Sequence, residues 1–282
     1  MKFLYFAFIF LCVFSEATQA AMIKVVVSQD VLASYKQYIG NKDPLKTESF
    51  GGEGSRRDVV EMILFQQALA AGGFEGHVEF TGSPSYSRSF IEIKHGSAMA
   101  TGSTVWDYDV RDDKDLWLSP STVQPGDFVA GLYGTRKNVE SFKKMKINEI
   151  KNLKVVTSKI WKSDHEALRA AGFVNILDSM QWELMIRMVG FGRADVVLSA
   201  FRPSVDLSFK DEGFELIPIP GYKINLQGGR VWAFSKKLPA SEKVIKAFDR
   251  GVKILIAKGT IRKAYRESGF FNEKVKDWQV VK

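Results

Sequence analysis

Twice along the chain a β-branched run is followed by a helix-period segment and then by a second apolar run, and this order restricts the fold more than any other feature. Residues 23–27 read as a strand, followed by a polar, glycine-bearing loop over residues 28–54. Val59, Val60, Ile63, Leu64 and Leu69 lie near helical spacing and the pattern stops at Gly72-Gly73, which predicts a helix over 57–71. A strand over 77–80, a helix over 86–94 and a short strand over 98–101 complete a β-α-β-α-β unit, the signature of a mostly parallel sheet. The same grammar returns as a strand over 153–157, a helix, a strand over 174–177, a helix over 180–189 and a strand over 194–199. The first helix of this second unit opens on Ser163-Asp164-His165-Glu166, a Ser-x-x-Glu capping box, and ends at Gly172. Extended apolar segments over 128–133 and 231–234 read as two crossovers, and closing helices over 241–258 and 261–268 return to the first unit. The expected fold is α/β and two-lobed, each lobe a mostly parallel sheet flanked by helices, joined by two crossover strands. Residues 21–130 and 236–282 would form lobe one, and 131–235 lobe two.

The 282 residues, 45% hydrophobic and 26% charged, supply enough core material for two lobes and exclude a disordered or fibrous chain. Residues 1–20 read as a secretory signal: Lys2, an apolar run over 3–14, and small residues around Ala20 and Ala21. That run is shorter than the roughly 20 residues a membrane-spanning helix needs. Cys12 lacks the preceding small residue of a lipoprotein signal. The sequence therefore predicts an exported, soluble mature chain. One cysteine and three histidines leave no disulfide framework and no cysteine-rich zinc site, so neither metal nor cofactor is expected. The net charge of +8 is spread along the chain. Its densest stretch, 136–154, interleaves seven Lys or Arg with two Glu and reads as a solvated face, so nucleic acid is not an expected partner.

Several segments together resemble the family 3 extracellular solute-binding proteins, the periplasmic receptors that usually feed ABC importers of amino acids. Gly192-Arg193-Ala194-Asp195-Val196-Val197 is similar to the family's Gly-Arg-x-Asp-Ala-Val turn, and Val231-Trp232-Ala233-Phe234-Ser235-Lys236 to its returning hinge strand. Ala257-Lys258-Gly259-Thr260-Ile261 resembles the segment between the terminal helices, and Leu118-Ser119-Pro120 the Phe-Ser-x-Pro before the first hinge. The resemblance implies a type II periplasmic-binding-protein-like fold. It also implies a ligand held between the lobes, where strand ends and helix N-termini offer unpaired N–H groups and closure excludes water.

The family also indicates where to look for ligand contacts. Its arginine clamp, which grips the ligand carboxylate through two parallel hydrogen bonds, lies a few residues before the Phe-Ser segment, and Arg111 stands seven positions before Leu118. Ser103 and Thr104 stand in the same loop, although the surroundings depart from the family's Ser-x-Thr-x-x-Arg pattern and five aspartates nearby offer Arg111 an alternative partner. Ser163 would help a helix start face an anion, or would simply cap it. Trp106, Tyr108, Trp161 and Tyr86 are candidate walls for a planar or apolar ligand, with core packing as the alternative. Amino-acid receptors of this kind carry an aspartate five residues beyond the Asp of the turn, holding the ligand ammonium; here Ala200 stands at that distance from Asp195. Asp195 itself reads as structural. Asp107, Asp109 or another acid would have to enter the cleft, or the ligand lacks an α-amino group, so most common amino acids are expected to bind weakly.

No paired-carboxylate context and no Gly-x-Ser-x-Gly elbow argues for catalysis, and His165, inside the capping box, reads as an exposed helix residue rather than a base. The sequence thus predicts a monomeric binding protein, not an enzyme, that captures a small polar or carboxylate-bearing ligand for an ABC permease. The alternatives are a receptor subunit for a membrane sensor and, behind it, an exported enzyme on the same scaffold.

Overall fold

The computed structural model describes residues 21–124 and 126–282, so the expected signal segment lies outside the described residues. The first lobe opens with β1 (Ala21–Ser28), α1 (Gln29–Ile39), α2 (Arg57–Ala71), β2 (Gly76–Ser83), α3 (Tyr86–Lys94) and β3 (Ala100–Thr101). It continues through β4 (Val105–Trp106), α4 (Asp107–Val110) and β5 (Leu116–Leu118). The helices α2 and α3 have the bounds their apolar spacing predicts. By contrast, α1 occupies part of the expected loop over 28–54. Its buried face is Val31, Leu32, Tyr35, Tyr38 and Ile39, spaced for a helix but diluted by Gln, Asp, Ser and Lys, so the polar residues hid the period.

The second lobe follows with β6 (Phe128–Thr135), α5 (Arg136–Phe142), α6 (Ile147–Ile150), β7 (Val155–Thr157), α7 (Lys162–Ala170), β8 (Ile176–Asp178), α8 (Trp182–Gly190) and β9 (Val196–Ala200). Then come β10 (Phe209–Asp211), β11 (Phe214–Pro218) and β12 (Tyr222–Leu226). The chain returns through β13 (Arg230–Val231), β14 (Ala233–Ser235), α9 (Ser241–Ala257), α10 (Thr260–Glu267) and β15 (Gln279–Val280).

The first sheet has the order β2-β1-β3-β14-β5, with β1 parallel to β2 and β3, and β14 antiparallel to β3 and β5. The second runs β10-β11-β6-β9-β7-β8, with β12 also on β6 and β15 on β12. In it, β7 is parallel to β8 and β9, while β6 is antiparallel to each of its partners.

Two expectations about the crossings change. Residues 128–133 are no crossover; they belong to β6, the strand on which the second sheet is built. The chain crosses earlier, and the two crossing segments lie side by side: Ser119 N donates to Trp232 O and Trp232 N to Ser119 Oγ, both at 3.0 Å, while Thr122 N donates to Arg230 O at 2.9 Å. Residues 233–235, expected in lobe two, pair in the first sheet, because Phe234 and Trp232 pack on Phe65 and Phe248 of α2 and α9. The tail, expected in lobe one, sends β15 to the second sheet.

α2 and α9 meet so closely that only glycine fits: a Cβ on Gly251 would sit 1.7 Å from Ala68 O, and one on Gly72 1.8 Å from Ala247 O. Gly251→Ala is therefore expected to push the helices apart and cost about 1–3 kcal/mol, as overpacking does. The urea midpoint should fall accordingly; an unchanged midpoint would show that the helices part without cost.

Candidate functional site

Between the lobes lies a cavity of about 220 Å³ lined from both sides. The first turns of α1, α2 and α3 reach it from lobe one, the starts of α7 and α8 and the end of β9 from lobe two, and β13 from the crossing. The parallel strand-helix order is what brings these helix starts together, with their unpaired N–H groups facing one space.

Half of the charged residues in the wall are already paired. Arg56 meets Asp30 at 2.9 Å and Asp58 at 3.0 Å. Arg57 Nη1 donates to both oxygens of Glu61, at 2.9 and 3.1 Å, and to Thr104 Oγ1 at 3.0 Å. Glu61 is fully buried and also accepts from Thr104 N at 2.9 Å, Thr104 Oγ1 at 2.7 Å and the Tyr265 hydroxyl at 2.9 Å. Burial opposes the Arg57 charge, but Glu61 and Asp58 outweigh it, and the guanidinium is held more firmly protonated than usual.

Two guanidiniums differ. Arg230, 5% exposed, donates through Nε to Thr104 Oγ1 at 2.8 Å and through Nη2 to the Thr104 carbonyl, and lies 4.6 Å above the Trp106 ring. Arg202 follows β9 and lies 4.7 Å from the Phe209 ring. Neither forms an ion pair among the described residues. Burial, reinforced by Arg57, pushes Arg230 down to about 10; burial and Arg56 lower Arg202 as well.

Two lining carboxyls, Asp164 and Glu183, also form no ion pair among the described residues, and Asp164 is the buried one. Asp164, in the first turn of α7, is 9% exposed, and its Oδ2 accepts from Thr157 Oγ1 at 3.2 Å. Burial pushes it up to about 7. Asp109, on α4, accepts the Tyr86 hydroxyl at 2.8 Å and is also raised by burial.

No protein-family profile matches the chain, and no curated protein matches it either. Solved structures do. A substrate-binding protein of an amino-acid ABC transporter from Streptococcus pneumoniae, bound to L-arginine, is similar over 88% of this chain and 96% of its own, with TM-score 0.54 and 15% identity. The periplasmic VFT2 domain of BvgS from Bordetella pertussis is similar over 87% and 92%, with TM-score 0.56 and 12% identity. An ancestral amino-acid-binding protein, a precursor of cyclohexadienyl dehydratase, is similar over 88% and 95%, with TM-score 0.50 and 15% identity. The chain has the two-lobed type II periplasmic-binding-protein fold.

Within this binding-protein fold the structure sorts the residues singled out in the sequence. Tyr86, Ser103, Thr104, Trp106 and Trp161 line the cavity. Trp106 is also a packing residue, 4% exposed and stacked on Phe128 at 5.4 Å. Arg111 does not line it: the side chain is exposed, its guanidinium 4.2 Å from the Tyr108 ring. Tyr108 is likewise outside the lining, its ring against Gly228 in the returning segment. Ser103, Thr104 and Trp106 of the same loop line the cavity, but the short α4 turns Arg111 outward.

Ser163 is displaced by a shift of the helix start. Trp161 N donates to Ser158 O, α7 begins at Lys162, and Trp161 is the N-cap without a side-chain bond. The expected capping box does not form. Ser163 is buried inside the first turn, its Oγ without a partner, and faces a second cavity with Glu166 and Asn225. Asp107 and Asp109 do not line the cleft either; Asp107 Oδ1 accepts from Gly229 N at 3.1 Å and so ties the returning segment. Two acids enter from the second lobe, Glu183 at the start of α8 and the more deeply buried Asp164, hidden in the sequence as part of an apparent capping box. Asp195 accepts from Lys154 N at 2.7 Å, a bond that holds the turn before β9.

Arg57, Arg202 and Arg230 escaped sequence reasoning because an arginine carries no periodicity of its own. Arg230 had one usable signal, since it adjoins the hinge strand at Val231.

Proposed function

We propose that the protein is an exported, periplasmic solute-binding protein that captures a small carboxylate-bearing ligand in the cleft, without converting it, and delivers it to an ABC importer. The observation that carries this reading is the pair Arg202 and Arg230. Arg230 is buried and Arg202 half-buried, neither with a carboxylate partner among the described residues; such desolvated guanidiniums are costly, and a ligand anion arriving between them offsets that cost. Arg230 sits on the crossing and Arg202 on lobe two, so one anion touching both would hold the lobes together. Trp106, Trp161, Trp182 and Met180 would cover the ligand body. Among the described residues no helix is long and apolar enough to cross a membrane.

Small carboxylates that raise the melting temperature in a thermal-shift panel should also reduce the radius of gyration in small-angle scattering, as the lobes close. Ligand that stabilises without compaction would count against closure, and ligand recovered chemically altered would count against pure binding. The likeness to the BvgS domain favours a second reading, a receptor subunit for a membrane sensor. Uptake of the ligand by cells should fail without this protein if it serves an importer and persist if it serves a sensor.

A further inference from the structure

We infer that Asp164 enters the ligand complex as a neutral carboxyl donating its proton to the ligand's carboxylate, so that the cleft selects acids lacking a cationic nitrogen. This rests on the capture of a carboxylate argued above and adds which carboxylates.

Asp164 lines the cleft, is nine-tenths buried, and among the described residues its side chain has one hydrogen-bond partner, Thr157 of β7. No cation pairs with it among the described residues. The charged groups around it are engaged elsewhere: Arg57 with Glu61, Arg230 with Thr104, and Lys223 of the neighbouring β12 with the carbonyls of Val275 and Lys276. From α4, which packs on α7, the facing group is Asp109, bonded to Tyr86. On its own helix Lys162 is exposed and His165 is half-buried, with a lowered pKa.

A carboxylate placed among Arg202, Arg230 and Asp164 would repel an ionised aspartate but would accept a short O–H···O⁻ bond from a neutral one. Burial raises the Asp164 carboxyl to about 7 against the Thr157 bond, Arg230 and Arg57, with Asp109 adding to the rise, so the neutral form is available at pH 7. An ammonium has a poorer place. Ala200, in the lining at the end of β9, brings no acid, and Asp30 and Asp58 are bonded to Arg56. Glu183, half-buried at the start of α8, is the remaining acid of the lining without an ion pair.

The sign of the pH dependence decides the matter. If the bound state requires protonated Asp164, binding takes up a proton, and with the free carboxyl titrating at about 7 the affinity rises about tenfold from pH 8 to pH 6. If instead Asp164 receives an ammonium, the ionised form is required and affinity falls about tenfold over the same interval.

The experiment is calorimetry of the wild-type protein at pH 6, 7 and 8, in buffers of different ionisation enthalpy. The probes are the common L-amino acids and their des-amino counterparts, such as glutarate for glutamate and 3-phenylpropionate for phenylalanine. The expected result is tighter binding of the des-amino series, rising towards pH 6 with proton uptake. Asp164→Asn, which still donates, should bind with no pH dependence, and His165→Gln should keep it. Tighter binding of amino acids, with affinity rising towards pH 8, overturns the inference while leaving carboxylate capture standing; Glu183→Gln then shows whether that acid holds the ammonium. Absence of binding by both series overturns both readings.

Discussion

Glu61→Ala is expected to lower the unfolding free energy by about 3–5 kcal/mol, the usual cost of removing one partner of a buried ion pair. Glu61 is fully buried and receives Arg57, the Thr104 amide, the Thr104 hydroxyl and the Tyr265 hydroxyl. Its loss would strand the Arg57 guanidinium beside Arg230, another buried cation with no ion pair among the described residues. Glu61→Gln should cost less, because it keeps an acceptor for Tyr265 and Thr104 while losing the charge. Urea unfolding at pH 7 reads the difference. A loss under about 1 kcal/mol for Glu61→Ala would mean that Arg57 turns to Asp58, which lies 4.0 Å away.

Arg230→Met should weaken carboxylate binding by about 2–5 kcal/mol, a drop of roughly 30-fold or more in affinity, since it removes a desolvated partner of the ligand anion. The same substitution should leave the unliganded protein about as stable as before, because a buried guanidinium without an ion pair is itself unfavourable and methionine fills similar volume. Binding and stability should therefore separate. Arg230→Lys tests geometry: it retains charge but not the planar fork that bridges Thr104 and a carboxylate, and is expected to recover only part of the affinity. Wild-type affinity in Arg230→Met, measured by calorimetry on a ligand found by thermal shift, would remove this residue from the site.

Elements with a strong apolar rhythm were legible in the sequence. α2, with nine buried positions, and α3, ended by the turn at Gly96, have the bounds their spacing predicts. α1 was not, because polar residues separate its buried positions and nothing local distinguishes that pattern from a loop. Much of the aromatic wall was visible, since Trp106 and Trp161 stand at strand-to-helix junctions. The charges were less visible: a spacing rule pointed to Arg111, but a single short turn sends that side chain to solvent.

The sequence alone determined that this chain builds parallel strand-helix units, because hydrophobic period and glycine stops are local properties that each segment carries wherever it sits. Tertiary structure decided the remainder. Where the chain crosses depends on Phe234 and Trp232 finding Phe65 and Phe248 from other elements. Which charges are free depends on pairing over long sequence distances, as when Thr104 bridges Glu61 and Arg230. The Asp164 pKa is raised because folding removes the carboxyl from water more than Arg230 and Arg57 nearby can offset, with no cation paired to it among the described residues, and no stretch of sequence around Ser163 and Glu166 encodes that environment.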